Sequence, residues 1–229
     1  MGTKEQEKNF TLRIDRVPLT LEAKIPEKAP DNAITSVIQG SDVYYLDNFG
    51  FIYKTDSSFG PKLKISQIPF PVQSETEYNL KVFENFIFLE EGDTLHLLNK
   101  ESLSFEKFFE GVKGIKISPD DKKLAIFSNS EIWILFLRDA PDQPQKKAAE
   151  FLFLARFSEK IGDIFWLDEN YLIFNAEDKI KIAETDDRDS VQIWSIKSPA
   201  GPRILFNEAD KKLYILNDKN LYSSEKLNY

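Results

Sequence analysis

From residue 34 onward the chain alternates between short apolar runs rich in Phe, Tyr, Ile and Leu and polar gaps of Asp, Asn, Gly, Ser and Glu. Five stretches can be laid in register: "VYYLDNFGFIYKT" from Val43, "FIFLEEGDTLHLL" from Phe86, "LAIFSNSEIWILF" from Leu124, "YLIFNAEDKIKIA" from Tyr171 and "LYILNDKNLYSS" from Leu213. Their starts are 43, 38, 47 and 42 residues apart. In each, a run that suits a pleated, buried strand meets residues that tolerate tight-turn angles, and a second strand follows. Each stretch is therefore a hairpin. Further strands flank it: "ITSVIQ", "YNLKVF", "GIKIS", "DIFWL" and "PRILF" before, and "KLKISQI", "SFEKFF", "EFLFLARF" and "VQIWSIK" after four of them. Four strands in each repeat of roughly 40–45 residues match a β-propeller blade.

A short phrase supports this spacing. "ISPDDKKLAIF" (from Ile117) is echoed by "EADKKLYIL" (from Glu208), with Asp121 and Asp210 separated by 89 residues, which is two repeats. Both phrases fall at the turn from the first to the second strand of a repeat. Helix has little support: the best candidate, "DQPQKKAAEFLFLARFSEK", holds Pro144 and a Phe-rich run that leave a turn or two at most. The last repeat lacks a fourth strand, whereas "NFTLRIDRV" (from Asn9) is a spare strand with alternating Phe10, Leu12 and Ile14. The pattern predicts an all-β fold, a single β-propeller domain over residues 1–229. Residues 1–33 would form a closing strand and a linker with Pro18, Pro26 and Pro30, and residues 34–229 the blades. Five blades of four antiparallel strands are expected, the last closed by the N-terminal strand, which would remove an exposed sheet edge. A four-bladed ring with an appended hairpin, and an open fragment of a larger propeller, are the alternatives.

Composition narrows the function. Of 229 residues, 41% are apolar and 19 are Phe, which is enough bulk for a large core. With 38 acidic and 30 basic residues the net charge is −8, and no basic stripe offsets it, so no nucleic-acid partner is expected. The absence of Cys removes disulfides, thiolate catalysis and Cys-bound zinc. The opening "MGTKEQEKN" has no apolar core of the signal-peptide kind, and no run approaches the roughly 20 residues that cross a bilayer. The chain is expected to be soluble, without membrane insertion of its own, and monomeric.

"ISPDDKKLAIF" resembles the Ser-Pro-Asp-Gly turn phrase of TolB-type and WD40-like propeller repeats. Pro119 presets φ, Ser118 and Asp120 cap the turn, and Asp121 stands where those repeats usually carry Gly. Residues 153–196, "FLARFSEKIGDIFWLDENYLIFNAEDKIKIAETDDRDSVQIWSI", resemble the C-terminal propeller-like region of bacterial PEGA-domain proteins. That resemblance implies an extracytoplasmic, envelope-facing domain, tethered in a longer parent by an upstream membrane helix. It supplies no catalytic residue.

Few residues invite chemistry. His96, the one histidine, reads as a half-exposed strand residue, and a single imidazole cannot build a multi-His metal site. Of the acidic clusters, Glu90-Glu91-Asp93 and Asp120-Asp121 fall at turns, and none has calcium-loop spacing. The segment Asp186-Asp187-Arg188-Asp189 lies in a loop between two strands and is the candidate partner contact, Arg188 being framed by carboxylates. Trp133, Trp166 and Trp194 sit among apolar neighbours and read as packing between blades, with sugar stacking as the alternative. No catalytic, cofactor-binding or metal residue is assigned. The expected function is a non-enzymatic scaffold presenting loops to a protein or cell-envelope polymer. The alternative is a carbohydrate-binding or glycoside-hydrolysing propeller, which would need a carboxylate pair at a defined separation.

Overall fold

A computed structural model describes residues 30, 32–140, 145–186, 191–196, 198, 201–217 and 220–227. The first sheet runs β1 (Ala33–Gln39), β2 (Asp42–Asp47), β3 (Ile52–Asp56), β4 (Leu63–Lys64). The second is β5 (Tyr78–Phe83), β6 (Phe86–Glu91), β7 (Thr94–Asn99), β8 (Ser104–Glu110), and the third β9 (Gly114–Ile117), β10 (Lys123–Phe127), β11 (Glu131–Phe136), β12 (Phe151–Arg156). The fourth is β13 (Ile164–Trp166), β14 (Tyr171–Ala176), β15 (Lys179–Glu184), β16 (Ile193–Ile196), and the fifth β17 (Arg203–Asn207), β18 (Lys212–Asn217), β19 (Asn220–Ser223). Every pair is antiparallel and sequential, so each sheet is a meander. The fold is an all-β propeller of five sheets, and residues 151–156 form a strand, with no helix among the described residues.

Inner strands such as β10, β11 and β14 read as nearly unbroken apolar runs because both of their faces are covered. Side chains alternate across a strand, so consecutive residues serve opposite seams. Leu124 and Ile126 of β10 pack with Phe86, Phe88 and Leu95 of the second sheet. Ala125 and Phe127, between and beyond them, pack with Ile164, Trp166 and Phe174 of the fourth. The first and second sheets meet at Leu46, Ile52, Leu80 and Leu89, and the fourth and fifth at Ile173, Ile180, Ile204 and Phe206. First strands gather together: β1 lies against β5 and β9 against β13.

The seams carry polar bonds as well. The Trp166 Nε1 donates to the Lys116 carbonyl at 2.9 Å, and Lys113 Nζ donates to the Ile161 carbonyl. Asn175 joins three segments. Its Oδ1 accepts from the Asp163 amide at 2.6 Å, its carbonyl accepts from the Gly162 amide at 2.8 Å, and its Nδ2 donates to the Pro202 carbonyl at 2.8 Å.

Two expectations change. His96 is not half-exposed, since its side chain is only 12% accessible. It stacks edge-on against Phe70, with Nε2 3.3 Å from Glu91 Oε2 but out of hydrogen-bond alignment. Glu90 and Glu91 lie in β6, and the turn begins at Gly92. The expected closing strand at residues 9–17 lies outside the described residues. The fifth sheet has three strands, and Leu205, Leu216, Leu221 and Tyr222 on it are exposed.

Candidate binding face on the third and fourth sheets

In a four-stranded meander the connection from first to second strand and that from third to fourth emerge at the same end. Their described parts are residues 118–122, 137–140 and 145–150 in the third sheet, and 167–170, 185–186 and 191–192 in the fourth. All four meet around one cleft of about 300 Å³, walled by Asp120, Lys122, Phe136, Lys146, Glu169 and Asp186, with Lys123 at its base.

The "SPDD" turn positions its side of the cleft. Buried Ser118 donates from its hydroxyl to Asp120 Oδ1 at 2.6 Å and accepts from the Lys123 amide at 2.9 Å. Asp120 Oδ1 also accepts from the Lys122 amide at 3.2 Å. Asp121 takes φ 58°, the left-handed conformation that Asp tolerates and that explains the usual Gly at this place in similar repeats. Burial alone would push Asp120 up, but the Ser118 hydroxyl, the Lys122 amide and the Lys122 ammonium hold its carboxyl below the usual value. The same capping bond recurs at two other first turns. Asp168 accepts from the Asn170 amide at 2.7 Å, and Asp210 from the Lys212 amide at 3.0 Å. The echoed phrase is thus a turn device, as its spacing implies. The copies differ by one residue in register: Asp121 aligns with Asp210 in the echo, but the capping carboxylate is Asp120 in one and Asp210 in the other, and the left-handed residue is Asp121 in one and Lys211 in the other.

The third-sheet copy does more than turn the chain. Lys123, the first residue of β10, sends its ammonium across the seam to the Glu169 carbonyl at 2.8 Å, Asn170 Oδ1 at 3.2 Å and Thr185 Oγ1 at 3.2 Å. Thr185 is buried. Burial lowers the Lys123 pKa from its ordinary value, against the opposing pull of Asp120, Glu169, Asp168 and Asp186. One ammonium therefore fixes both fourth-sheet loops to the third-sheet turn. Opposite it, Ala140 and Lys146 pair in an isolated bridge, and Lys146 Nζ lies 5.9 Å from the centre of the Phe136 ring.

The structure places Asp186 on the wall of this cleft, while Asp187, Arg188 and Asp189 lie outside the described residues. Lys123 was not singled out from sequence. The available signal was the "KK" that opens the apolar run, facing the equivalent "DEN" turn one repeat later. The tryptophans diverge. Trp166 is buried in a seam as expected, and Trp133 packs on Phe151 and Phe153 with its Nε1 bonded to Glu131 at 2.9 Å. Trp194 corrects the packing reading, because 47% of it is exposed on β16.

No protein-family model and no curated protein matches the chain. Among solved structures, it is similar to the extracellular domain of what is described as a one component system from B. thetaiotaomicron: 10% identity, TM-score 0.50, covering 84% of this chain and 27% of that one. It is also similar to Hsv2 of Kluyveromyces lactis: 12% identity, TM-score 0.51, covering 82% of this chain and 59% of that one. The chain thus spans about a quarter and three-fifths of these two proteins, and at such identities the likeness is one of fold.

Proposed function

We propose that the protein is a non-enzymatic binding scaffold that engages a protein or cell-envelope partner through the loop face of its third and fourth sheets. The observation that carries the reading is Lys123. A partly buried ammonium bonded to three acceptors across a seam holds both fourth-sheet loops to the third-sheet turn, and pre-ordered loops bind without a large ordering cost. The cleft walls present Lys122 and Lys146 beside Asp120, Glu169 and Asp186, which suits a partner segment carrying charges of both signs. The segment Asp186-Asp187-Arg188-Asp189, of which Asp186 stands on that wall, is assigned to the same contact.

The proposed setting is extracytoplasmic, in a longer PEGA-type parent tethered by an upstream membrane helix. Its support is the resemblance of residues 153–196 and the extracellular origin of one protein sharing the fold. No described helix is long and apolar enough to cross a membrane. The test is site-specific photocrosslinking of the full chain in its native envelope. A crosslinker at Lys146 should trap a discrete species that Lys122→Glu abolishes. A crosslinker at Ser130, on the opposite end of the third sheet, should not trap it. Identical products from both positions would sink the assignment.

A further inference from the structure

The outermost strand of a sheet leaves one row of main-chain N–H and C=O groups without a neighbouring strand, a template that proteins usually protect. Three of the four-stranded sheets do so. β4 is only two residues long. β8 carries exposed Glu106, Lys107 and Glu110 and meets β7 with a register shift. β12 meets β11 with a register shift and ends in exposed Arg156. β16, Ile193-Trp194-Ser195-Ile196, has none of these devices: it holds no charge, Pro or Gly, its pairing with β15 is unbroken, and all four residues are exposed. Among the described residues no strand pairs with its other edge.

The direction of its free bonds follows from one contact. The Glu184 amide donates to the Gln192 carbonyl at 3.0 Å, which makes these two a hydrogen-bonded pair. Antiparallel pairs alternate, so Trp194 and Ile196 also turn their main chain toward β15, opposite Ile182 and Ile180. The N–H and C=O of Ile193 and Ser195 therefore point outward, in the plane of the fourth sheet. A strand that completes the fifth sheet stacks on the fourth about 10 Å away and cannot reach them. Donors and acceptors spaced at the extended-chain repeat are matched by another extended backbone rather than by a sugar or a helix. The side chain set opposite Trp194 would stand in a close, non-hydrogen-bonded pair, which suits a β-branched or aromatic residue. A second copy fits less well. Four residues bury far less than the roughly 1,200 Å² of a stable interface, and each chain carries a net charge of −8. We infer that the outer edge of β16 takes an extended segment of a protein partner, which adds a fifth strand to the fourth sheet through the main chain of Ile193 and Ser195.

The inference rests on the binding reading, since a partner held at the loop face supplies the remaining contact area. The two fail separately, because crosslinks report on the loop face and amides on the sheet edge. The test follows the backbone amides of the full chain, labelled with nitrogen-15. The probe is a capped Lys-Val-Thr-Val-Thr-Val-Lys peptide, compared with the same peptide N-methylated throughout its Val-Thr core. The plain peptide should move the Ile193 and Ser195 amide signals saturably and slow their exchange with deuterium about tenfold. The Trp194 and Ile196 amides, already turned to β15, should keep their exchange rates. N-methylation should weaken binding about tenfold through loss of main-chain bonds. Ser195→Pro removes an outward N–H that β15 does not use and should weaken binding equally, whereas Ser195→Ala should bind as wild type. The methylated peptide keeps the test decisive if the proline variant does not fold. Equal binding of both peptides, no shift at millimolar peptide, or a larger effect with an oligosaccharide would overturn the inference. So would slow exchange of Ile193 and Ser195 in the chain alone: independent of concentration, it would assign the edge to another segment of this chain, and growing with concentration, to a second copy.

Discussion

The Lys123 ammonium lies 2.8 Å from the carbonyl oxygen of Glu169, across the seam between the third and fourth sheets. It also satisfies the buried Thr185 hydroxyl. Lys123→Met keeps the aliphatic stem and removes the donors. It is expected to cost about 1–3 kcal/mol, the range for losing a partner of a charged, partly buried hydrogen bond. The pH signature gives an independent check. Burial depresses the folded-state pKa below 10.5, so between the folded value and 10.5 the unfolded chain binds more protons. Wild-type stability should therefore rise through that interval relative to Lys123→Met, as read by urea denaturation at stepped alkaline pH.

Asp120 titrates in the same sense, over an acidic interval. Its carboxyl sits below 3.8 in the folded chain, so its contribution is present above that pH and fades as pH falls through the folded value. Asp120→Asn should be less stable than wild type at neutral pH, and the gap should narrow on acidification. A gap constant from pH 6 to pH 2 would exclude the Ser118–Asp120–Lys122 arrangement as a source of stability.

Gly50 and Gly40 separate strain from collision. Both have positive φ, 85° and 62°, but a Cβ on Gly50 would lie 1.9 Å from the Phe70 carbonyl oxygen, whereas one on Gly40 would meet nothing within 4 Å. The crowding arises because the Phe70 amide bonds the Gly50 carbonyl at 2.8 Å, while Asp47 caps the turn from the Phe49 and Phe51 amides. Gly40→Ala should cost about 1 kcal/mol and Gly50→Ala about 3 kcal/mol or more, by thermal denaturation.

Among the described residues the fifth sheet has three strands, with Leu205, Leu216, Leu221 and Tyr222 exposed, and the proposal that residues 9–17 complete it has a direct test. Deleting residues 1–17 should then lower Tm; a loss of about 2 kcal/mol corresponds to about 4–8 °C at this length. An unchanged Tm would remove that assignment.

The hairpins were legible because each strand and turn is a local affair: Leu124–Phe127 advertise burial on both faces, and Ser118-Pro119-Asp120 contains its own hydrogen-bond partners. The candidate site was legible only at its rim. Asp186 stood out for its acidic neighbours, yet the organising group is Lys123, whose acceptors lie 46 to 62 residues away and are set by the stacking of two sheets. Trp194 misled for a related reason. Its neighbours Ile193 and Ile196 are apolar, but β16 faces a sheet with three strands among the described residues, a relation between sheets that the local phrase does not carry.

The two-faced character of β10 ties the third unit to its place in the chain. Leu124 and Ile126 are cut to fit the phenylalanines of the second sheet, and Ala125 and Phe127 to fit the fourth. The units look interchangeable in primary structure, but each is a joint whose two sides have different mates. The third unit could not be copied, deleted or moved along the chain as a cassette without spoiling two junctions at once. A copy of it in another place would pack only after compensating changes on the facing strands of both neighbours.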